Sequence, residues 1–199
     1  MITLPLFRFS KAIKLFDEAN AQDPNMEIVD GQQVPHEWID AQRMTAWVLK
    51  LDPEASEPLQ LAARCQHICR WKRPRSDYPE GRAAYLQWRK DLKTFHADTA
   101  AEILARVGYK KKVIDRVRKL NLKQEMTADP EVQTLEDALC LVFLEFEFAD
   151  FCERKSDEMM VRILKKTWGK MSPQAREEAG RLDYNTHQQA LLDEALTPE

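Results

Sequence analysis

Apolar positions recur every three to four residues along most of the chain, the period of helices with one buried face. Ser10 is placed to cap a first helix reaching about Ala21, with Ile13, Leu15 and Phe16 inward, and Asp23-Pro24-Asn25 breaks it. Asp30 to Pro35 reads as a polar loop, and Pro35 as the first residue of a second helix, where its missing N–H costs nothing. Trp38, Ile39, Met44, Val48, Leu49 and Leu51 form that helix's apolar side, and Asp52-Pro53 ends it. Ser56 caps a third helix whose apolar positions run from Leu59 through Cys65 and Ile68 to Trp71. Pro74 and Pro79 bound an irregular stretch. The pattern then stays helical from about Glu80 to Val107, as one helix or two, and Gly108 suits its C-terminal cap.

Val113, Ile114, Val117 and Leu120 mark the next helix. Asp129-Pro130-Glu131 combines a capping residue, a proline for the first turn and an acid at the positive helix end. The helix it starts, through Leu135, Leu139, Val142 and Phe146 to Phe151, is apolar nearly all round and so belongs at the centre. Further helices follow from about Asp157 to Trp168, from Ser172-Pro173, and from Thr186 to Leu196. The expected fold is all-α: one compact bundle of about 8–10 helices over residues 1–199.

Composition supports this. There are only five glycines, too few for the tight turns of a β-protein, and 44% hydrophobic with 32% charged residues is a globular rather than a disordered balance. Cys65, Cys69, Cys140 and Cys152 lie in apolar or amphipathic segments without metal-knuckle spacing, as free thiols of a cytoplasmic protein do. No run approaches a membrane span, and Met1 to Arg8 lacks the pattern of a signal peptide. A net charge of −3 argues against a nucleic-acid coat. That charge is unevenly spread: nine Lys or Arg against three acids lie between Arg64 and Lys93. Trp71, Tyr78, Tyr85 and Trp88 among them suggest an ordered basic surface. Arg70, Arg73, Arg75, Arg89 and Lys93, with Arg43, are the candidates to bind a small anionic ligand, expected to be phosphorylated.

Three residues stand out as candidate metal ligands. His67 and His96 lie among apolar neighbours, where a histidine is more often a hydrogen-bonded structural residue than a ligand. Asp137, beside Glu136, starts the most hydrophobic helix. An ionised carboxylate there needs a partner, a metal or a wet cleft. Two imidazoles and a carboxylate on three helices suit Mn, Fe, Zn or Ni in a bundle core. His36 and His187 read as surface residues.

Leu61-Ala62-Ala63 leading to Gln66-His67-Ile68, then His96 before Ala100-Ala101-Glu102, then Asp137, resembles the HD-domain metal-dependent phosphohydrolases. In that resemblance Gln66-His67 falls on the family's His-Asp doublet, Asp40 near its upstream His, and Lys123 where a further His is often found. Over nearly its full length the chain also resembles the domain-of-unknown-function family DUF4202. Gln42-Arg43-Met44, Gln66-His67-Ile68, Trp71 to Pro79, Phe95-His96-Ala97 and Leu135 to Glu145 carry that resemblance. The HD resemblance implies an HD-like bundle and phosphoester hydrolysis of a small metabolite or nucleotide. His67, His96 and Asp137 would be metal ligands, with Gln66 and Lys123 catalytic. A non-catalytic anion- or nucleotide-binding module with a degenerate metal site, and a partner-binding helical protein, are the alternatives.

Overall fold

The computed structural model describes residues 4–124 and 128–197; the ends of the expected 1–199 domain lie outside the described residues. Its helices start where side chains satisfy the free N–H groups of a first turn. Ser56 accepts from the N–H of Leu59, Asp129 from Glu131, Ser156 from Met159 and Ser172 from Ala175, while Asn185 and Gln188 form a reciprocal capping box. The elements run α1 (Leu4–Asn20), β1 (Met26–Val29), β2 (Gln32–Pro35), α2 (His36–Leu51), α3 (Glu57–Arg64), α4 (Arg82–Val107) and α5 (Lys111–Asn121). They continue with α6 (Pro130–Val142), α7 (Phe148–Arg154), α8 (Asp157–Trp168), α9 (Pro173–Ala179) and α10 (Thr186–Leu196). The fold is all-α apart from one hairpin, with ten helices among the described residues.

Five local expectations are corrected. Asp30 to Pro35 is not a loop: β1 and β2 pair antiparallel, Ile28 opposite Gln33 and Val29 opposite Gln32. The Asp30-Gly31 turn takes positive φ at both positions, 51° and 77°, which Asp-Gly tolerates and a tight hairpin requires. Pro35 therefore ends a strand and caps α2 rather than opening it. Ser10 lies inside α1, because the helix already begins at Leu4. The third helix stops at Arg64 instead of reaching Trp71. Cys69 takes a left-handed conformation (φ 55°), and its N–H is held by Asn20 Oδ1 at 3.0 Å. Finally, the Phe-rich helix is interrupted: Phe143–Glu147 forms a π-helical turn between α6 and α7. The segment from Arg82 to Val107 is a single helix, closed by Gly108 at φ 89°.

α2 packs against α6 and α3, α3 against α5, α5 along α4, and α1 across α3 and α4; α8 and α10 close the other end. Met44, Leu59, Leu61, Leu104, Leu120, Leu135 and Leu141 are fully buried at these crossings. Each such side chain contributes roughly 1.5–3 kcal/mol of burial. All four cysteines are free thiols, three of them buried. Among the described residues no helix is long and apolar enough to cross a membrane.

Candidate metal centre

The inward stripe of α2 begins with two carboxylates. Glu37 and Asp40 share a face with Met44, Val48 and Leu51, and are only 4% and 3% exposed. Glu37 stands in the first turn, and its N–H donates to Asp23 Oδ2 at 3.1 Å. Buried Asp23, whose Oδ1 also accepts from the N–H of Asn25, supplies the cap that Pro35 cannot. Glu37 Oε2 and Asp40 Oδ1 are buried without a hydrogen-bond partner. The other oxygens face weak partners: Arg70 Nε lies 3.9 Å from Glu37 Oε1, and His67 Nδ1 lies 3.8 Å from Asp40 Oδ2.

His67 comes from the turn after α3. The left-handed Cys69 folds the chain back and aims the imidazole at α2. Ligand atoms of Glu37, Asp40 and His67 all lie within 4.8 Å of one another. Three ligands about 2.1 Å from one ion lie at most about 4.2 Å apart, so small side-chain movements close this group on a cation. Among the described residues it is the one group of His, Cys, Asp and Glu side chains so arranged.

His96 stands behind it, with ring centroids of His67 and His96 5.8 Å apart. Its Nδ1 lies 2.8 Å from the carbonyl oxygen of Ile68, which can only accept, so Nδ1 carries the proton. Nε2 is then a bare lone pair, buried and without a partner. Burial and the neighbouring His67 push the His96 pKa down to about 3. Burial outweighs Asp40 at His67 and brings it to about 4. Both rings are therefore neutral near pH 7, the form that donates to a metal.

The carboxylates respond differently. Burial raises Glu37 well above the ordinary range, against the pull of Arg70. Burial also raises Asp40, but His67, His36 and Arg43 outweigh it and hold Asp40 below its usual value. Glu147, the last residue of the π-helical turn, is raised by burial and by Asp40. The turn is pinned to α2 by Trp47 Nε1, which donates to Glu145 Oε2 at 2.7 Å, and by Arg43 over the Phe146 ring at 4.1 Å. Such π turns often serve to place a functional side chain. The pocket thus holds carboxylates in excess of nearby cations, a costly arrangement without a counterion.

The expected ligand set is corrected in part. Asp137 does not join His67: its Oδ1 accepts from Gln133 Nε2 and from the N–H of Ser172, both at 2.9 Å, tying α6 to the start of α9. The adjacent Glu136 is equally buried and pairs instead with Lys123 and with Lys170 Nζ at 3.1 Å. Gln66 is buried beside His67, with Oε1 lacking a partner.

The basic rim divides. Arg43 grips Glu27 with both NH groups, at 3.1 and 2.6 Å, and so fastens the hairpin to α2. Arg75 donates to the carbonyls of Tyr78 and Pro79 at 2.8 and 2.7 Å and holds its own loop. Both are thus engaged in holding local structure. Arg70 lies over Trp88, Arg73 over Phe95, and Arg89 beside Tyr85. Lys93 is half-buried near Glu136. His36 and His187 are partly exposed, against Glu27 and Asp157.

Glu37 escaped the sequence reading. Its signal was available: Glu37 and Asp40 fall in register with the apolar stripe of the second helix, where carboxylates need a reason to be. The family model described as a domain of unknown function, DUF4202, matches residues 10–192. No curated protein and no solved structure matches the chain.

Proposed function

Since the chain belongs to the DUF4202 family, a domain of unknown function, we propose its activity from the centre itself: a metal-dependent phosphohydrolase acting on a small phosphorylated metabolite or nucleotide. The observation that carries this reading is the buried Glu37–Asp40–His67 group with two carboxylate oxygens left without donors. Two oxygens and a neutral imidazole are a donor set for Mn, Fe, Zn or Ni. The order of Asp40, Gln66-His67 and His96 along the chain resembles that of the HD-domain phosphohydrolases, which supports the same class.

A divalent ion would supply Lewis acidity and a source of hydroxide near neutral pH. The rest falls to the chain's own residues. Glu37, Asp40 and His67 would hold the cation. Asp23 fixes Glu37 through the backbone. The carbonyl of Ile68 fixes the tautomer of His96 and leaves its Nε2 as a bare lone pair behind His67. Arg70, half-exposed at the rim beside Glu37, is placed to neutralise charge that develops on a phosphoryl oxygen.

Elemental analysis of the purified protein tests this, with Asp40→Asn and His67→Ala beside it and phosphomonoester and nucleotide turnover measured on the metal-loaded form. About one ion per chain in the wild type is expected, with occupancy and turnover lost in both variants. No ion retained after reconstitution with Mn, Fe, Zn and Ni would sink the reading.

A further inference from the structure

A second cluster of charge lies beside the metal centre, and its sign is opposite. The face of α4 that carries His96 also carries Lys93 one turn before it and Arg89 one turn earlier still. Lys123 follows α5 in a left-handed conformation, φ 55°, unfavourable for a residue with a side chain. That conformation turns a nearly buried ammonium, 9% exposed, onto Glu136 of α6. Lys170, just after α8, reaches the other oxygen of the same carboxylate at 3.1 Å and remains half-exposed. Lys123 and Lys170 thus meet on one carboxylate, and half-buried Lys93 feels the charges of Glu136, Arg89 and Lys170.

One buried carboxylate does not balance three lysines. Asp137, the next residue, is turned away onto the N–H of Ser172. Arg89 adds to the excess. Like charges gathered at partly buried positions repel in a medium of low polarity, and burial with neighbouring cations holds both Lys93 and Lys123 below the ordinary lysine pKa. Glu136 accounts for two ammonium groups and leaves a net positive well. His67 feels Asp40 on one side and Lys123 and Arg70 on the other. The charges of the cation-seeking pocket and of the basic cluster therefore both reach that imidazole.

We propose that Lys93, Lys123 and Lys170, gathered around Glu136, form the anion subsite that takes the phosphoryl oxygens of the substrate. The subsite rests on the hydrolase reading above for its purpose, but not for its existence. It does not draw on Arg43 and Arg75, whose guanidinium groups bind Glu27 and the carbonyls of Tyr78 and Pro79. Glu136 acts as the fixed counter-charge that holds two of the ammonium groups apart and aimed, so that a tetrahedral oxyanion meets preset donors.

The test is titration of the metal-stripped, full-length protein with inorganic phosphate, read by calorimetry and by thermal unfolding, with acetate at equal ionic strength as comparator. Phosphate is expected to bind and to raise the unfolding temperature where acetate does not. Lys93→Gln and Lys170→Gln, which leave the buried Lys123–Glu136 pair intact, should each raise the phosphate Kd about tenfold, the loss of one charge-assisted contact. Lys72→Gln, on the exposed loop, should leave it unchanged. Equal stabilisation by acetate, a change under threefold in either cluster variant, or an equal loss in Lys72→Gln would overturn the subsite. Because the metal is absent throughout, this outcome is independent of metal occupancy, and either proposal can fail alone.

Discussion

At the residue scale the centre is a set of groups held in unusual protonation states. His96 is the clearest. Its folded pKa, about 3, lies below the 6.5 of an ordinary imidazole. The unfolded chain therefore takes up a proton that the folded chain refuses. Stability is fully present above pH 6.5 and falls as the pH drops from there toward 3. Chemical denaturation of the metal-free protein between pH 7 and pH 4 should show this slope, and His96→Gln should flatten it. An unchanged slope in the variant would mean that another group carries the acid sensitivity. His67 and His96 could be singled out from sequence because an imidazole among apolar helix neighbours is a small class of site. Asp137 could not be separated from Glu136. Adjacent helical residues point about 100° apart, and only the packing of α6 decides which partners each one meets.

At the element scale, two short features set the geometry. One is the start of α2, where a proline stands at the cap and Asp23 supplies the acceptor from outside the helix. Asp23→Ala should cost about 1–2 kcal/mol, the value of a helix cap, and should weaken metal binding because Glu37 loses its anchor. Parallel urea melts and metal titrations read the two effects. A loss of stability with undiminished metal affinity would show that Glu37 is positioned by packing alone. The other feature is the turn from Cys65 to Cys69, which ends α3 early and presents His67. Neither was legible from periodicity. Cys65, Ile68 and Cys69 are buried in the turn as they would be in a helix, so the apolar pattern runs on without a break. The hairpin was missed for a related reason: its strands are four residues each, too short for alternation to stand out, although Asp30-Gly31 was a sound turn signal.

At the scale of the whole molecule, the candidate metal centre lies on a seam where α2, the turn after α3 and His96 of α4 come together. No single segment owns the seam, so a ligand there binds only the folded chain. Mn at about 100 times its Kd should then stabilise the protein by about 2.7 kcal/mol, seen as a rise in unfolding temperature that EDTA reverses and Asp40→Asn abolishes. A rise that persists in Asp40→Asn would place the ion elsewhere.

The sequence by itself determined the helical class, the number of helices and most of their starts. Each of these depends on local chemistry: the 3.6-residue period, Ser, Asp or Asn at a cap, proline in a first turn, glycine after a last one. It also pointed to His67 and His96. The tertiary structure decided which carboxylates meet His67, which partners Glu136 and Asp137 each take, and which basic side chains are already engaged. Those outcomes depend on long-range contacts: Asp23 to Glu37, Asp40 to His67, Lys123 to Glu136, Ser172 to Asp137. A local pattern fixes the face on which a residue lies, but its partner is chosen only when helices distant in sequence pack together.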